Sequence, residues 1–316
     1  MPGIDTISLY LPKEKIGNYD YMENMESLLT NQKTVTYKNS KVTSLSGNRR
    51  NLLITYNERG VTLKGSLPKF CDKDSIDLLD FPKVHQALQK LSDEFKMPFD
   101  KAKLRRIDIA ENFKMNQKPA FYYPYLGNIN RYRRLEQNNG LMYQQGIKKN
   151  GIKGIVFYDK LDELKDNKVI IPIKYENQNL LRYEFRFFSR LPQQIKVDEV
   201  TLSSLQNESF YNRLIKYWHD EYFKIKKIKK MNINFEVCKT IKELETQLLL
   251  EGVQAKGGEA ELTEIINQIY KAGNSSKMQC KRMKDKLKTL CNTPNLTYQS
   301  EAILELDKKV TENSIS

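Results

Sequence analysis

Leu104-Arg105-Arg106-Ile107-Asp108-Ile109-Ala110-Glu111-Asn112-Phe113 is the stretch on which the reading of this chain turns. Leu104, Ile107, Ile109 and Phe113 supply apolar and β-branched bulk with no Gly or Pro between them, which predicts a strand. Alternate residues of a strand share a face. Ile107 and Ile109 therefore point to a core, and Arg106, Asp108, Ala110 and Asn112 to the other side. An acid beside a small residue, two places after an Arg, leaves room and charge for a ligand. It equally describes a solvated sheet face.

Two later strands bear on that choice. Gly154–Lys160 puts Val156, Tyr158 and Lys160 on one face. Leu181–Phe188 sets Leu181, Tyr183, Phe185 and Phe187 against Arg182, Glu184 and Arg186, which repeats the Arg-x-acid layout. If this strand neighbours the first, Asp108 and Glu184 together can hold a divalent cation. Carboxylate oxygens are the donors Mg²⁺ and Mn²⁺ prefer. Arg106, Arg182 and Arg186 would then grip phosphate. Cross-strand salt bridges are the alternative.

Upstream, Ile4–Leu11 alternates as a strand, and Asn51–Asn57 with Val61–Leu63 predicts a hairpin across Glu58-Arg59-Gly60. Gly65–Phe70 follows as a turn carrying Lys69. Ser75–Lys96 has helical spacing, divided by Pro82, and carries His85. Phe121, Tyr122, Tyr123, Tyr125, Arg131, Tyr132, Arg133 and Arg134 form an aromatic and basic patch, suited to stacking bases or to covering a core edge.

Glu208–Lys230 predicts a long helix. At about 100° per residue, Phe210, Leu214, Trp218, Ile225 and Ile228 form a stripe containing Glu221. Tyr217 lies on one border, and Tyr211 and Tyr222 on the other. A border tyrosine has a packed ring and a free hydroxyl, which suits a rigid nucleophile. His219 falls outside the stripe. Lys224, Lys226, Lys227, Lys229 and Lys230 close the helix, favouring its dipole and offering a phosphate-binding patch.

Composition shifts after Asn234. Helices are predicted over Ile241–Glu251, Leu262–Lys271 and Lys277–Leu290, with Gly257-Gly258 as a hinge and a partly disordered tail over Asn292–Ser316. The helix, Gly-containing turn and basic helix from Leu262 onward is similar to a DNA-reading pair, without a base-reading residue pattern. The expected fold class is α+β: a central, mostly antiparallel sheet flanked by helices over 1–234, and a helical appendage over 235–316.

Composition narrows the partners. In 316 residues, 53 Lys and Arg against 39 Asp and Glu give a net charge of +14, which favours a polyanion, nucleic acid first. Cys71, Cys238, Cys280 and Cys291 form no C-x-x-C pair and no zinc spacing, and they fit a reducing cytoplasm. The chain shows no signal peptide and no apolar run near 20 residues, so no membrane partner is expected.

Ile4-Asp5-Thr6, Gly65–Phe70, Arg106–Phe113, Phe157–Lys160, Leu181–Phe187 and Tyr211–Ile228 together, in this order, resemble the filamentous-phage gene II/X family of replication initiators. Tyr217–Ile228 also resembles the nucleophile helix of rolling-circle plasmid initiators, where a Tyr-Trp pair carries the active tyrosine. The resemblance implies a site-specific single-strand nickase that starts rolling-circle replication of a phage or plasmid through a 5′-phosphotyrosine link and later rejoins the strand.

On that reading Tyr217 is the attacking tyrosine. Lys160 matches the family's lysine, Asp108 and Glu184 hold Mg²⁺ or Mn²⁺, and Lys69, Arg106, Arg182, Arg186, Lys224 and Lys227 contact origin DNA. Host helicase and polymerase are the implied further partners, in the bacterial cytoplasm. The broader rolling-circle class often uses a His-hydrophobe-His metal motif. His85 and His219 lie far apart, so a carboxylate site is expected instead. The competing class is a non-catalytic origin-binding initiator or repressor, which needs the basic patches but not the acid pair. A conjugative relaxase, which usually relies on a histidine cluster, ranks last.

Overall fold

The computed structural model describes residues 1–17, 20–36, 43–71, 76–137, 139–146 and 151–314. Leu104–Phe113 lies within a thirteen-residue strand, β6 (Lys103–Met115), near the middle of a ten-stranded sheet. The other strands are β1 (Gly3–Pro12), β2 (Thr30–Thr36), β3 (Thr43–Arg49), β4 (Leu52–Asn57), β5 (Gly60–Ser66), β7 (Tyr132–Gln137), β8 (Gly140–Gln145), β9 (Lys153–Asp159) and β10 (Asn179–Phe187). Their order is β2-β3-β4-β5-β1-β6-β10-β9-β8-β7, and each adjacent pair is antiparallel. With helices α1 (Lys13–Ile16), α2 (Tyr21–Leu28), α3 (Leu67–Phe70), α4 (Phe81–Phe95), α5 (Lys160–Asp166), α6 (Leu191–Ile195) and α7 (Glu208–Phe223), the fold is α+β.

The predicted hairpin is β4–β5, turning at Glu58-Arg59. Gly60 closes it at φ +140°, where a Cβ would lie 2.3 Å from the Leu11 carbonyl oxygen, so only glycine fits. The expected helix from Ser75 onward starts later. Ser75 itself lies outside the described residues, and α4 begins at Phe81 with Pro82 in its first turn, where no amide hydrogen is needed. Asp80 caps it, accepting from the Lys83 amide at 3.3 Å. Pro82 opens this helix rather than dividing one.

Register fixes the two faces of the central strands. Arg186 pairs with Asp108 and Glu184 with Ala110 across β6–β10, and Arg182 pairs with Tyr158 across β9–β10. Tyr183, Phe185 and Phe187 project from the opposite face, and α7 covers that face. Trp218 stacks on Tyr183 at 4.7 Å and lies 6.2 Å from Phe113; Tyr217 meets Phe187 edge-on at 5.8 Å. The buried stripe of α7 is Tyr211, Leu214, Ile215, Trp218, Glu221 and Tyr222, rotated from the predicted one toward the two tyrosines on its far border. Buried Glu221 is satisfied by Lys153, by the Tyr132 hydroxyl at 2.7 Å and by Lys224 at 2.9 Å.

The chain forms two compact units. One comprises 1–120, 130–224 and 309–316; the other comprises 121–129 and 225–308. The expected division fell after residue 234. In the second unit, α8 (Ile241–Ala255), α9 (Glu259–Lys271) and α10 (Lys277–Asn292) bury Leu250, Val253, Ile266, Cys280, Leu287 and Cys291 in one core. A short antiparallel pair, β11 (Lys230–Met231) and β12 (Thr297–Tyr298), adds Met231 to that core.

The helix expected through Lys230 stops at Phe223. Beyond it, the Lys226 and Ile228 amides donate to the Asn128 and Tyr125 carbonyls, and Lys226 accepts from Gly127. These bonds replace helical ones in a lysine run whose charges repel along a helix. The tail expected to be partly disordered forms α11 (Glu301–Ser314), with Ala302, Ile303, Leu306 and Val310 buried at helical spacing. No helix among the described residues is long and apolar enough to cross a membrane.

Candidate functional site

Alternation along β6, β9 and β10 gathers one polar network on the sheet face away from α7. Asp108 and Glu184 are each 2% exposed. Arg106 grips Asp108 with both arms, Nε to Oδ1 at 2.9 Å and Nη2 to Oδ2 at 2.5 Å. Arg186 bridges the two acids, Nε to Glu184 Oε2 at 2.7 Å and to Asp108 Oδ2 at 3.8 Å. The Tyr158 hydroxyl donates to Glu184 Oε1 at 2.6 Å. Arg186 therefore joins the two acids in one network.

The acids differ in charge state. Burial pushes Asp108 up to about 6 despite Arg106 and Arg186. Burial also opposes the charge on Glu184, but Arg186, Arg182 and the Tyr158 hydrogen bond outweigh it and hold the carboxyl near 2. Burial, reinforced by the charge of Glu184, raises the Tyr158 phenol well above its usual range. Burial and neighbouring Arg182 lower Lys160.

Two cavities open on this face. One, about 460 Å³, is lined by Lys64, Arg105, Arg106, Arg186 and Phe188 among others. The other, about 390 Å³, is lined by Tyr158, Val156, Asn139 and Arg186 among others. They share Arg186 and Met142. Arg106 and Arg186 keep 22% and 25% of their side chains exposed, so both can meet an incoming phosphate.

The other expected site residues lie apart from this network or buried within it. Tyr217 lies on the α7 face, half-buried, its hydroxyl donating to the Gln194 carbonyl at 2.9 Å. The sheet stands between it and Glu184, so the structure does not bring the expected nucleophile to the acids. Arg182 is 2% exposed and spends its guanidinium on Asn112 Oδ1, the Ile76 carbonyl and Asp5 Oδ2, so it ties three segments of the chain together. Lys160 is 2% exposed, opens α5 and pairs with Glu163 at 2.6 Å.

The remaining lysines are dispersed. Lys227 is 14% exposed near Asp307, and burial lowers its ammonium to about 8, so it offers no open cation. Lys224 is on the α7 side, paired to Glu221. Lys69 is exposed on α3. Sequence reasoning missed Tyr158, Lys64 and Arg105. For Tyr158 the shared face with Val156 was visible in the alternation, while its pairing directly across from Arg182 was not.

The carboxylates do not fit a bound Mg²⁺ or Mn²⁺ as they are arranged. All four oxygens of Asp108 and Glu184 are engaged by guanidinium or phenol groups. Among the described residues no three His, Cys, Asp or Glu side chains converge.

The family model described as replication-associated protein G2P N-terminal matches residues 12–212, more than half the chain, and spans β6, β9, β10 and the polar network between them. No curated protein matches the chain.

Proposed function

The chain belongs to the replication-associated G2P N-terminal family, and from that premise we propose that it is a site-specific origin nickase initiating rolling-circle replication, with Tyr158 as nucleophile. The observation that carries this reading is a phenol hydrogen-bonded to Glu184 and opening on a cavity lined by Arg186.

A phosphodiester resists attack because its charge repels nucleophiles. Arg106 and Arg186, about a quarter exposed over the acids, would exchange carboxylate for phosphate and neutralise a non-bridging oxygen. That exchange frees Asp108. The Tyr158 oxygen then attacks phosphorus in line, the bond to the 3′ oxygen breaks, and a 5′-phosphotyrosine and a free 3′ hydroxyl form. The phenol proton passes along its existing hydrogen bond to Glu184, which Arg186 has released for the phosphate, and from there to the leaving 3′ oxygen. The phosphotyrosine keeps the bond energy, so a later 3′ hydroxyl reseals the strand by the reverse path.

The test is conversion of supercoiled origin plasmid to open circles, with the covalent adduct trapped on an oligonucleotide and its site mapped by peptide mass. Modification of Tyr158 supports the assignment. Modification of Tyr217 overturns it and moves the chemistry to the α7 face. Origin binding with no adduct on any tyrosine supports the non-catalytic initiator instead.

A further inference from the structure

The second unit carries a feature that the polar network does not use. Among α8, α9 and α10, positive charge is concentrated on one helix. α10 has Lys277, Lys281, Arg282, Lys284, Lys286 and Lys288 against one acid, Asp285. By contrast, α8 has Glu243, Glu245 and Glu251 against Lys242, and α9 has Glu259, Glu261 and Glu264 against Lys271.

Packing sorts α10 into two faces. Cys280, Leu287 and Cys291 enter the core shared with Leu250 and Val253 of α8 and Ile266 of α9. Lys284, half-buried, donates to Asn267 Oδ1 of α9 at 2.6 Å and fixes the pair. Lys277, Lys281, Arg282, Lys286 and Lys288 are all exposed, and none has an ion pair among the described residues. At about 100° per residue, Lys277, Lys281 and Lys288 line one flank of that face and Arg282 and Lys286 the other, with Met278 and the single acid Asp285 between.

The start of this helix is rigid. Ser276 and Gln279 form a capping box, with the Gln279 amide donating to Ser276 Oγ at 3.2 Å and the Ser276 amide donating to Gln279 Oε1 at 2.9 Å. The turn from α9 runs through Gly273 at φ +73°, a left-handed conformation that glycine adopts without strain. Sixteen residues give a rod of about 24 Å, enough to cross a duplex major groove about 12 Å wide.

We propose that α10 is a duplex-DNA-reading helix, presented on a three-helix core outside the region matched by the family, with Lys277, Met278, Lys281 and Arg282 of its first turns toward the base edges. Lys286 and Lys288 would meet backbone phosphates. The surface is too polar to enter a bilayer, since only Met278 and Met283 are exposed large apolar residues on this helix. The assignment rests on the origin-DNA reading for its biological context but makes a separate demand.

The experiment compares the full chain with the Lys286→Glu/Lys288→Glu double variant. Binding of a labelled 30-base-pair duplex, a 30-nucleotide single strand and anionic phosphatidylglycerol vesicles is measured across a salt series, with melting curves confirming the fold. Duplex affinity is expected to fall at least tenfold, and the log–log salt slope to flatten by about 2, as two phosphate-facing cations are removed. Single-strand cleavage should be unchanged, and the Lys286→Arg/Lys288→Arg variant should keep duplex binding. Unchanged duplex affinity and slope would overturn the proposal, as would loss confined to vesicle binding. Absence of cleavage in the parent chain would sink the nickase reading and leave this one standing.

Discussion

The Tyr158 hydroxyl lies 2.6 Å from Glu184 Oε1, donated across the β9–β10 pair onto the face that α7 does not cover. Tyr158→Phe should therefore abolish the covalent adduct while leaving single-strand binding within a few-fold. Tyr217→Phe, which loses one hydrogen bond to the Gln194 carbonyl, should nick normally and cost about 1 kcal/mol of stability. Plasmid nicking and thermal melting of both variants check this, and a Tyr217→Phe protein that no longer nicks would refute it.

Arg186 occupies the position between Asp108 and Glu184. Manganese added to the DNA-free protein should bind weakly, because a cation must first displace two guanidinium groups. Arg186→Lys gives up the forked grip, so it should bind Mn²⁺ more tightly than the parent and a single-stranded oligonucleotide several-fold more weakly. Calorimetric titration reads both. Tight saturable Mn²⁺ binding to the parent would show that the arginine network yields readily.

Asp108 provides a pH test. Its folded value, about 6, stands above the ordinary 3.8, so between those values the folded chain holds more protons than the unfolded one. Stability from this group therefore falls as pH rises from about 4 to 6. Glu184, held near 2, acts the other way: its contribution is present above 4.5 and lost as pH falls toward 2. Asp108→Asn should flatten the decline between pH 4 and 6 in melting temperature. A variant curve parallel to the parent's over that window would disprove the raised value.

Glu221 sits in the core side of α7 with Lys153, Tyr132 and Lys224 around it, and these partners hold its carboxyl below the usual range against the cost of burial. Glu221→Leu leaves Lys153 half-buried without its partner and should destabilise the first unit by about 3 kcal/mol. The single Trp218, fully buried against Tyr183, reports it directly: its emission should shift red at a lower temperature than in the parent.

Asp108 and Glu184 were legible as a pair because strand alternation is local: once β6 and β10 are strands, Arg-x-acid in each places charge on one face whatever the rest of the chain does. The β4–β5 hairpin followed likewise from Gly60. Which phenol joins the acids was not settled by any local rule. The apolar stripe of α7 must cover the aromatic row of β10, and that row lies opposite Glu184, so Tyr217 is carried to the other face of the sheet. Reading helix and strand together would have raised that conflict.

Register and neighbour choice belong to the tertiary structure. Tyr158 meets Glu184 only because β9 pairs with β10 in that register, and Arg182 is buried only because Asp5, Asn112 and the Ile76 carbonyl converge on it from distant parts of the chain. The lysine run after Phe223 leaves the helix because Tyr125 and Asn128 offer carbonyls to its amides. Side-chain alternation and charge are properties of each segment alone. Partners brought together by long-range pairing are not, since a one-residue change of register reverses every face.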